Sequence, residues 1–487
     1  MVSKSLAATA LVAAAFSVHA ADDSDLAAIR AQIAEMKQAY EQRIAALESR
    51  LAAAEAASRA TSTPAIGTTA TQAAASTGGT NGTSQIAAVP SEPAPTNRIQ
   101  TAANAFNPEV SLILQGQYAQ MKNVPDRTIT GFWPAGGHDH DGGKGISTRG
   151  FSLNHTELVF SGGIDPYWRG QAILAVQDES VEVEEAWFQS LAIGHGIGLK
   201  GGRFRSGIGY LNEQHPHQWD FANAPLMYTA LFGQEASFRD DGLQLKWLAP
   251  TPVFLEFGTE IGRGANFPGT DTNKNGAGAW AAYTHVGDDI GISNSWRAGL
   301  SYLRTQSGDR EAEFVDVNGL AAQGLFSGNT STWIADFVWK WAPDGNPKYR
   351  NFKFQSEYFV RKDKGNLTCQ DEAGIGNACA SPITASYDTR QSGWYAQGVY
   401  QFTPEWRAGL RYDQLDSGTQ NLGANAANLV VDNYRPQRWT GMVDYSWSEF
   451  SRVRLQYAQD QSMAGLTDNQ WIVQYIMSLG AHGAHKF

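Results

Sequence analysis

Basic side chains recur at alternate positions through the second half of the chain. In "WRAGLRYD", for example, Arg407 and Arg411 alternate with apolar residues. The complete basic set on such polar faces is Arg297, Lys340, Lys353, Arg361, Arg407, Arg411, Arg438, Arg452 and Arg454, and earlier segments carry the acids Glu182, Glu184, Glu256 and Glu260. Charged rows along a water-filled passage screen ions and orient dipolar solutes. Alternatively, these charges pair with their neighbours and confer no selectivity.

Two histidine pairs are the candidates for metal chemistry. "GHDHDGG" contains His138 and His140, and "HPH" contains His215 and His217. Two imidazoles could share one Zn²⁺ ion, but a zinc site needs three or four ligands. We therefore expect solvated or locally hydrogen-bonded loop histidines, and no metal or other cofactor.

Motifs of the common catalytic sites are missing from the sequence. It contains no Gly-x-Ser-x-Gly elbow, no phosphate-binding glycine loop and no His-Glu-x-x-His helix. The chain is therefore predicted not to be an enzyme. The net charge of -11 also argues against a nucleic-acid partner, which would require a basic face.

The start of the chain is typical of an export signal. Lys4 supplies a positive charge, residues 6–16 form an apolar run, and "VHA" is a small-residue cleavage site, so residues 1–20 are predicted to be a signal peptide. An exported protein meets oxidising conditions. The two cysteines, Cys369 and Cys379, are therefore expected to form a disulfide that pins one loop.

Two segments of different composition follow the signal. Residues 22–57 have apolar side chains at alternating steps of three and four, which predicts a coiled-coil helix that assembles with copies of itself. A solvated single helix is the alternative. Residues 58–105 are rich in Ala, Thr, Ser, Gly and Pro and cannot bury a core, so they are predicted to be a flexible linker.

From residue 106 to residue 487 the sequence has a period of two. Each segment has one apolar face, often with aromatic residues near its ends, and one polar or charged face. A soluble sandwich could bury such apolar faces, but it would not explain the export signal or the aromatic strand ends. The pattern predicts an all-β transmembrane barrel of about sixteen antiparallel strands, whose apolar faces meet lipid. Long and short connections alternate between these strands, as expected for such a barrel.

The long connection at residues 206–239 is rich in apolar and aromatic residues, including Tyr210, Trp219, Tyr228 and Phe232. Such side chains favour burial. We expect this connection to fold into the barrel as a constriction loop, the alternative being a loop that packs on neighbouring external loops.

Together these features resemble the trimeric porins of Gram-negative outer membranes, and in particular the phosphate-selective porin O and P family. The blocks that carry the resemblance are "GFSLNHTELVFSGGIDPYWRG" and "VEEAWFQSLAIGHGIGLKGGRFRSGIGYLNEQH". The resemblance implies an outer-membrane homotrimer with sixteen strands per chain. Phosphate-selective members rely on lysines in the constriction, whereas residues 201–245 contain none, so the solute stays open.

The predicted function is passive diffusion of small hydrophilic solutes or ions through the barrel. Outer-membrane lipid and the outer-membrane assembly machinery are the other expected partners, because a final strand that ends in Phe487 resembles the signal which that machinery reads. An even number of strands places the N-terminal helix and the C-terminus together in the periplasm. The alternatives are a metal- or solute-binding outer-membrane receptor and a structural barrel tethered to the periplasm.

Overall fold

The computed structural model describes residues 108–124, 127–132, 149–153, 155–177, 180–233, 236–370 and 377–480. They all fall within one unit of the chain, Ser84–Phe487. The predicted signal peptide (1–20), coiled-coil helix (22–57) and linker (58–105) lie outside the described residues, as do His138, His140 and Phe487. Within the described residues, no helix is both long and apolar enough to cross a membrane.

In the described part of the chain, seventeen strands form one closed antiparallel sheet in which β1 pairs with β17. The strands are β1 Glu109–Gln120, β2 Gly150–Ser152, β3 Thr156–Gly163, β4 Trp168–Gln177, β5 Ser180–Ser190, β6 Ile197–Arg205, β7 Arg239–Leu248, β8 Phe254–Gly262, β9 Ala279–Ile290, β10 Asn294–Val315, β11 Ala321–Trp341, β12 Asn351–Gln370, β13 Ile383–Gln401, β14 Trp406–Asn421, β15 Gln437–Ser448, β16 Ser451–Gln461 and β17 Asp468–Gly480. Both β2 and β3 pair with β1, so they are two parts of one interrupted strand. The prediction of a barrel of about sixteen strands is confirmed.

Strand β17 shows how the sequence period determines the two faces of the barrel. Trp471, Tyr475 and Leu479 are 47%, 41% and 55% exposed, whereas the intervening Gln474 and Ile476 are buried. Successive side chains of a strand point to opposite faces, so the apolar row lies outside. Similar outward rows of large apolar residues occur on the other strands. A continuous apolar outer surface of this size is the surface that lipid covers, and the strands are transmembrane strands.

Aromatic side chains form two bands around the outer surface. One band runs across β9 to β17 through contacts such as Tyr302–Trp333, with ring centroids 4.8 Å apart, and Tyr412–Trp439, at 4.5 Å. The other contains Trp339–Phe352 and Trp406–Tyr445. On β11 (Trp333 and Trp339) and β15 (Trp439 and Tyr445) the two bands are six residues apart, which is about 20 Å along a strand. Two aromatic girdles that flank an apolar band are typical of a membrane barrel.

The longest strands, β10 to β13, continue well past the first aromatic band. There they carry a small hydrophobic core that includes Phe314, Phe326 and Leu367. The structure joins Cys369 and Cys379 in a disulfide within this core, with Cα atoms 5.5 Å apart, and both cysteines are fully buried. The disulfide therefore holds the connection after β12 against the projecting ends of the strands.

Candidate functional site: the inward loop and its wall

Residues 206–238, here called the inward loop, connect β6 to β7 and fold inside the barrel. The loop contains a short helix, α1 (Leu226–Phe232), and a 3₁₀ turn at Pro216–Gln218. Met227, Tyr228 and Leu231 are fully buried in a cluster with the inner-wall residues Phe359 and Tyr395. The apolar residues that favoured burial in the sequence thus form a second core within the barrel, instead of packing on the external loops.

The two ends of the inward loop are held together by one asparagine. Asn212 donates from Nδ2 to the carbonyl oxygens of Ser206, at 2.7 Å, and Phe238, at 2.8 Å. Its Oδ1 accepts from the backbone N–H of Phe238 at 2.7 Å. Ser206 Oγ and the Gly207 N–H donate to Glu260 of β8, at 2.5 and 2.8 Å. Because a buried backbone group needs a partner, these bonds explain how an irregular segment enters the barrel.

Glu357 of β12 anchors the middle of the loop. Its Oε1 accepts from the Tyr210 N–H at 2.7 Å, and the Tyr228 hydroxyl lies 3.0 Å from both of its oxygens. Tyr395 on the neighbouring strand donates to Oε2 at 2.6 Å. Nearby, Arg297 donates to the carbonyl of Gly209 at 2.8 Å. One wall carboxylate thus joins two separate parts of the loop.

Arginines of the wall hold the second half of the loop by its carbonyl oxygens. Arg411 donates to the carbonyl of Asn223 at 2.8 Å, Arg438 to that of Ala224 at 2.5 Å, and Arg454 to that of Trp219 at 2.9 Å. Arg452 donates to His217 O at 2.8 Å. Guanidinium groups suit this role, since each presents several donors in a fixed geometry.

All nine basic residues predicted to line the pore lie on inward faces, but the loop and neighbouring carboxylates engage most of them. Arg297, Arg361, Arg411, Arg438 and Arg454 are buried, whereas Lys340, Lys353, Arg407 and Arg452 are half-buried. Of the four predicted acids, Glu184 and Glu260 are buried, Glu182 pairs with Arg239, and Glu256 lies 3.1 Å from His285. Pairing with neighbours, the alternative raised from the sequence, describes most of these charges.

Three of the half-buried cations, Lys353, Arg407 and Arg452, meet at one end of the barrel, near the starts of β12, β14 and β16. Lys353 Nζ lies 2.5 Å from Asp220 of the inward loop, and Arg407 lies 3.2 Å from the same carboxylate. Arg407 and Arg452 also pair with Asp444 of β15. Burial by itself would raise the pKa of Asp220, but the charges of Lys353 and Arg407 lower that pKa to about 2. The loop is therefore held here by an ionised carboxylate.

A histidine-rich cluster lies on another part of the wall. His215 of the loop meets His155, Glu157 and Glu184, and all four side chains are buried. His215 and His217, the pair proposed from the sequence, have ring centroids 5.9 Å apart, whereas His155 and Glu157 were not predicted. In "NHTEL" these two residues are two positions apart, which is the strand signal that places them on the same face.

Sequence comparison finds a relative but no function. No family model matches the chain. An uncharacterized protein of Aquifex aeolicus (strain VF5) is 31% identical over 408 residues, covering 79% of this chain and 80% of the relative. The chain belongs to the same family as that protein. Membership of the phosphate-selective porins stays a prediction.

Solved barrel structures resemble the chain weakly. A loop-deletion mutant of OmpT, an outer membrane protein of Vibrio cholerae, is 11% identical with a TM-score of 0.46, over 76% of this chain and 99% of that one. Pseudomonas putida OprB is 12% identical with a TM-score of 0.45, over 76% and 94%. The outer membrane channel DcaP of Acinetobacter baumannii is 13% identical with a TM-score of 0.45, over 76% and 97%. These TM-scores are below 0.5, so the likenesses carry no conclusion about this chain.

Proposed function

We propose that the protein is an outer-membrane porin through which small hydrophilic solutes or ions diffuse passively. The observation that carries this proposal is a closed barrel with an apolar outer surface and a polar inner wall, against which the inward loop is held. A barrel of sixteen strands is wide enough to enclose an aqueous passage. The inward loop narrows that passage, and solutes pass between the loop and the parts of the wall that it leaves accessible.

The half-buried cations make small anions the preferred solutes. The group around Asp220 and Asp444 contains four cations, Lys353, Arg407, Arg452 and Arg454, and two carboxylates, which leaves a net charge of 4 − 2 = +2. The side chains of Lys353, Arg407 and Arg452 are 18%, 23% and 15% exposed, so water and ions reach them. A positive constriction in low-dielectric surroundings attracts anions and repels cations.

Assembly and orientation belong to the same proposal. The chain forms a homotrimer, with the helix predicted at 22–57 and the C-terminus on the periplasmic side, and the assembly machinery reads the C-terminal residues that include Phe487. The connection between β14 and β15 and other long connections lie at the end of the barrel with the disulfide, which is the external end in this orientation.

One observation favours a second candidate, a structural barrel that its own loop closes. The inward loop contacts wall residues from β3 to β16, including Glu157, Glu260, Glu357 and Gln456. A loop fixed at so many points could fill the lumen. A metal- or solute-binding receptor is the third candidate. In that case the bound metal or solute would block the current, and the block would saturate as its concentration rises.

Single-channel recording in planar bilayers separates these candidates. The purified full-length protein is added to one side in 1 M KCl, with heat-denatured protein as the control. Discrete conductance steps that appear with native protein alone support the porin. A folded protein that inserts but passes no current would refute the porin and favour the structural barrel.

A further inference from the structure

Four side chains able to bind a metal converge where the inward loop meets the wall. They are His155, between β2 and β3, Glu157 of β3, Glu184 of β5 and His215 of the loop, and their ligand atoms lie within 4.8 Å of one another. We propose that this histidine–glutamate cluster binds one divalent transition-metal ion, with Zn²⁺ as the best match. The ion would tie the loop to the wall, and its binding is independent of what the barrel conducts.

Four of the six separations between the ligand atoms are close to those of a tetrahedral site. His155 Nε2 lies 3.0 Å from Glu157 Oε1 and 3.2 Å from Glu184 Oε2. His215 Nδ1 lies 3.3 and 3.2 Å from the same two oxygens. Zinc binds nitrogen and oxygen ligands at about 2.0–2.2 Å, so neighbouring ligands of a tetrahedral ion are about 3.3–3.5 Å apart. The other two separations, between the two nitrogens and between the two oxygens, are at most 4.8 Å, and binding of the ion would shorten them.

Two of the proposed ligand residues carry an unsatisfied polar atom. Among the residues that the structure describes, His215 Nδ1 and Glu157 Oε2 are buried polar atoms without a hydrogen-bond partner. Most buried polar atoms in folded proteins have a hydrogen-bond partner, so an atom without one needs an explanation. His215 Nδ1 is itself one of the proposed ligand atoms, so a Zn²⁺ ion would supply its missing interaction, and the charge of the ion would offset two buried carboxylate charges.

A surrounding set of side chains orients the ligands. His215 faces Glu185 Oε2 through its other ring nitrogen, Nε2, at 3.3 Å, which fixes Nδ1 toward the cluster. Arg205 donates to Glu184 Oε1 and leaves Oε2 for the site. His217 Nδ1 lies 2.9 Å from Glu157 Oε1. Carboxylates that hold the second nitrogen of a ligating histidine are a recurrent feature of metal sites.

Two local irregularities of the sheet turn these residues inward. The register of β4 with β5 shifts at Ile173/Leu174, so Glu184 has no partner of its own and both Glu184 and Glu185 are buried. The register of β1 also shifts by one residue between β2 and β3: Gln117 pairs with Ser152, but Ile113 pairs with Glu157. β-Bulges re-aim side chains and occur next to functional sites.

The test measures the ion directly. The full-length protein in detergent is stripped with EDTA, incubated with Zn²⁺ alone, desalted, and analysed by mass spectrometry for zinc. We expect one ion per chain in the wild type and at least a tenfold loss of affinity in His215→Ala and Glu184→Gln. His285→Ala is the matched control, since His285 is also a buried histidine beside a glutamate, Glu256, and it should retain the ion.

A second measurement does not depend on variants that fold poorly. Co²⁺ added to stripped wild-type protein should give the intense visible absorption of a tetrahedral ion, and Zn²⁺ should displace it. Lack of this absorption would overturn the proposal, as would zinc binding that persists in His215→Ala. Zinc lost in the double variant His138→Ala/His140→Ala but kept in His215→Ala would place the ion elsewhere. The two proposals can fail separately. A protein that conducts but binds no zinc would refute only the metal site, and a protein that binds zinc but does not conduct would refute only the porin.

Discussion

Arg454 Nη2 lies 2.9 Å from the carbonyl oxygen of Trp219, a residue 235 positions earlier in the chain, and the Arg454 side chain is fully buried. The same guanidinium pairs with Asp444 through Nε at 2.8 Å. One arginine thus joins the inward loop to two strands of the wall. The predicted basic wall is chiefly the surface on which the loop is held.

The first prediction concerns this contact. Arg454→Met should destabilise the attached loop by about 1–3 kcal/mol, because it leaves the buried Trp219 carbonyl without its donor, whereas Asp444 keeps Arg407 and Arg452 as partners. Limited proteolysis of the folded barrel should then cleave within residues 206–238. Arg263→Gln is the control, because Arg263 is an exposed arginine paired with Asp271, and exposed ion pairs contribute little to stability. Equal protection of both variants would contradict the role given to Arg454.

Ion selectivity should depend on the half-buried cations. The triple variant Lys353→Gln/Arg407→Gln/Arg452→Gln changes the local net charge from +2 to −1, so its reversal potential in a KCl gradient should move toward cation preference. Arg411→Gln, which alters a fully buried arginine that binds the carbonyl of Asn223, should change loop stability more than selectivity. An unchanged reversal potential in the triple variant would remove these residues from the permeation path.

Acid should release the loop within a defined pH range. The pKa of Asp220 is lowered from 3.8 to about 2, so its attachment is fully present above about pH 4 and is lost as pH falls through 2. The shift corresponds to about 2 kcal/mol at neutral pH. The groups that face Asp220 are Lys353, Arg407, Arg454 and Gln397, and the first three stay charged throughout this range.

Current fluctuations recorded from pH 7 down to pH 2 check this prediction. The wild type should be quiet to about pH 4 and noisy below it, whereas Asp220→Asn should be noisy at pH 7. Glu213 is a second carboxylate of the inward loop for comparison with Asp220. Burial by itself would raise its pKa, but the charges of Lys246 and Lys200 lower that pKa to about 2. If Asp220→Asn behaves as the wild type at every pH, Asp220 does not hold the loop.

The disulfide should stabilise the small core at the projecting ends of β10 to β13 without affecting conduction. Cys369→Ala/Cys379→Ala removes a link that spans 10 positions, and the chain-entropy estimate for so short a loop is roughly 2–3 kcal/mol. Because the link lies beyond the aromatic band, single-channel conductance should be unchanged while the melting temperature falls. Maleimide labelling should detect two thiols after denaturation and reduction and none before reduction. Labelling of the unreduced, denatured chain would show that the bond does not form.

The amino-acid sequence by itself determined the strands and their faces. A period of two is a local property, so Trp471, Tyr475 and Leu479 could be assigned to one face without knowledge of any partner strand. The same rule placed the nine basic residues inside the barrel. The apolar character of residues 206–239 likewise predicted a segment that needs burial, because the cost of exposing large apolar side chains does not depend on where they are buried.

Only the tertiary structure decided what the interior residues contact. Arg454 and Trp219 are brought together by closure of the sheet, and no spacing in the sequence records that distance. His215 meets His155 and Glu184 because two register shifts, each of one residue, turn the wall side chains inward. A shift of one residue reverses the face of every later side chain in a strand. The regular alternation of apolar and polar residues therefore predicts the barrel. The two register shifts, where that alternation is interrupted, determine which side chains meet in the histidine–glutamate cluster.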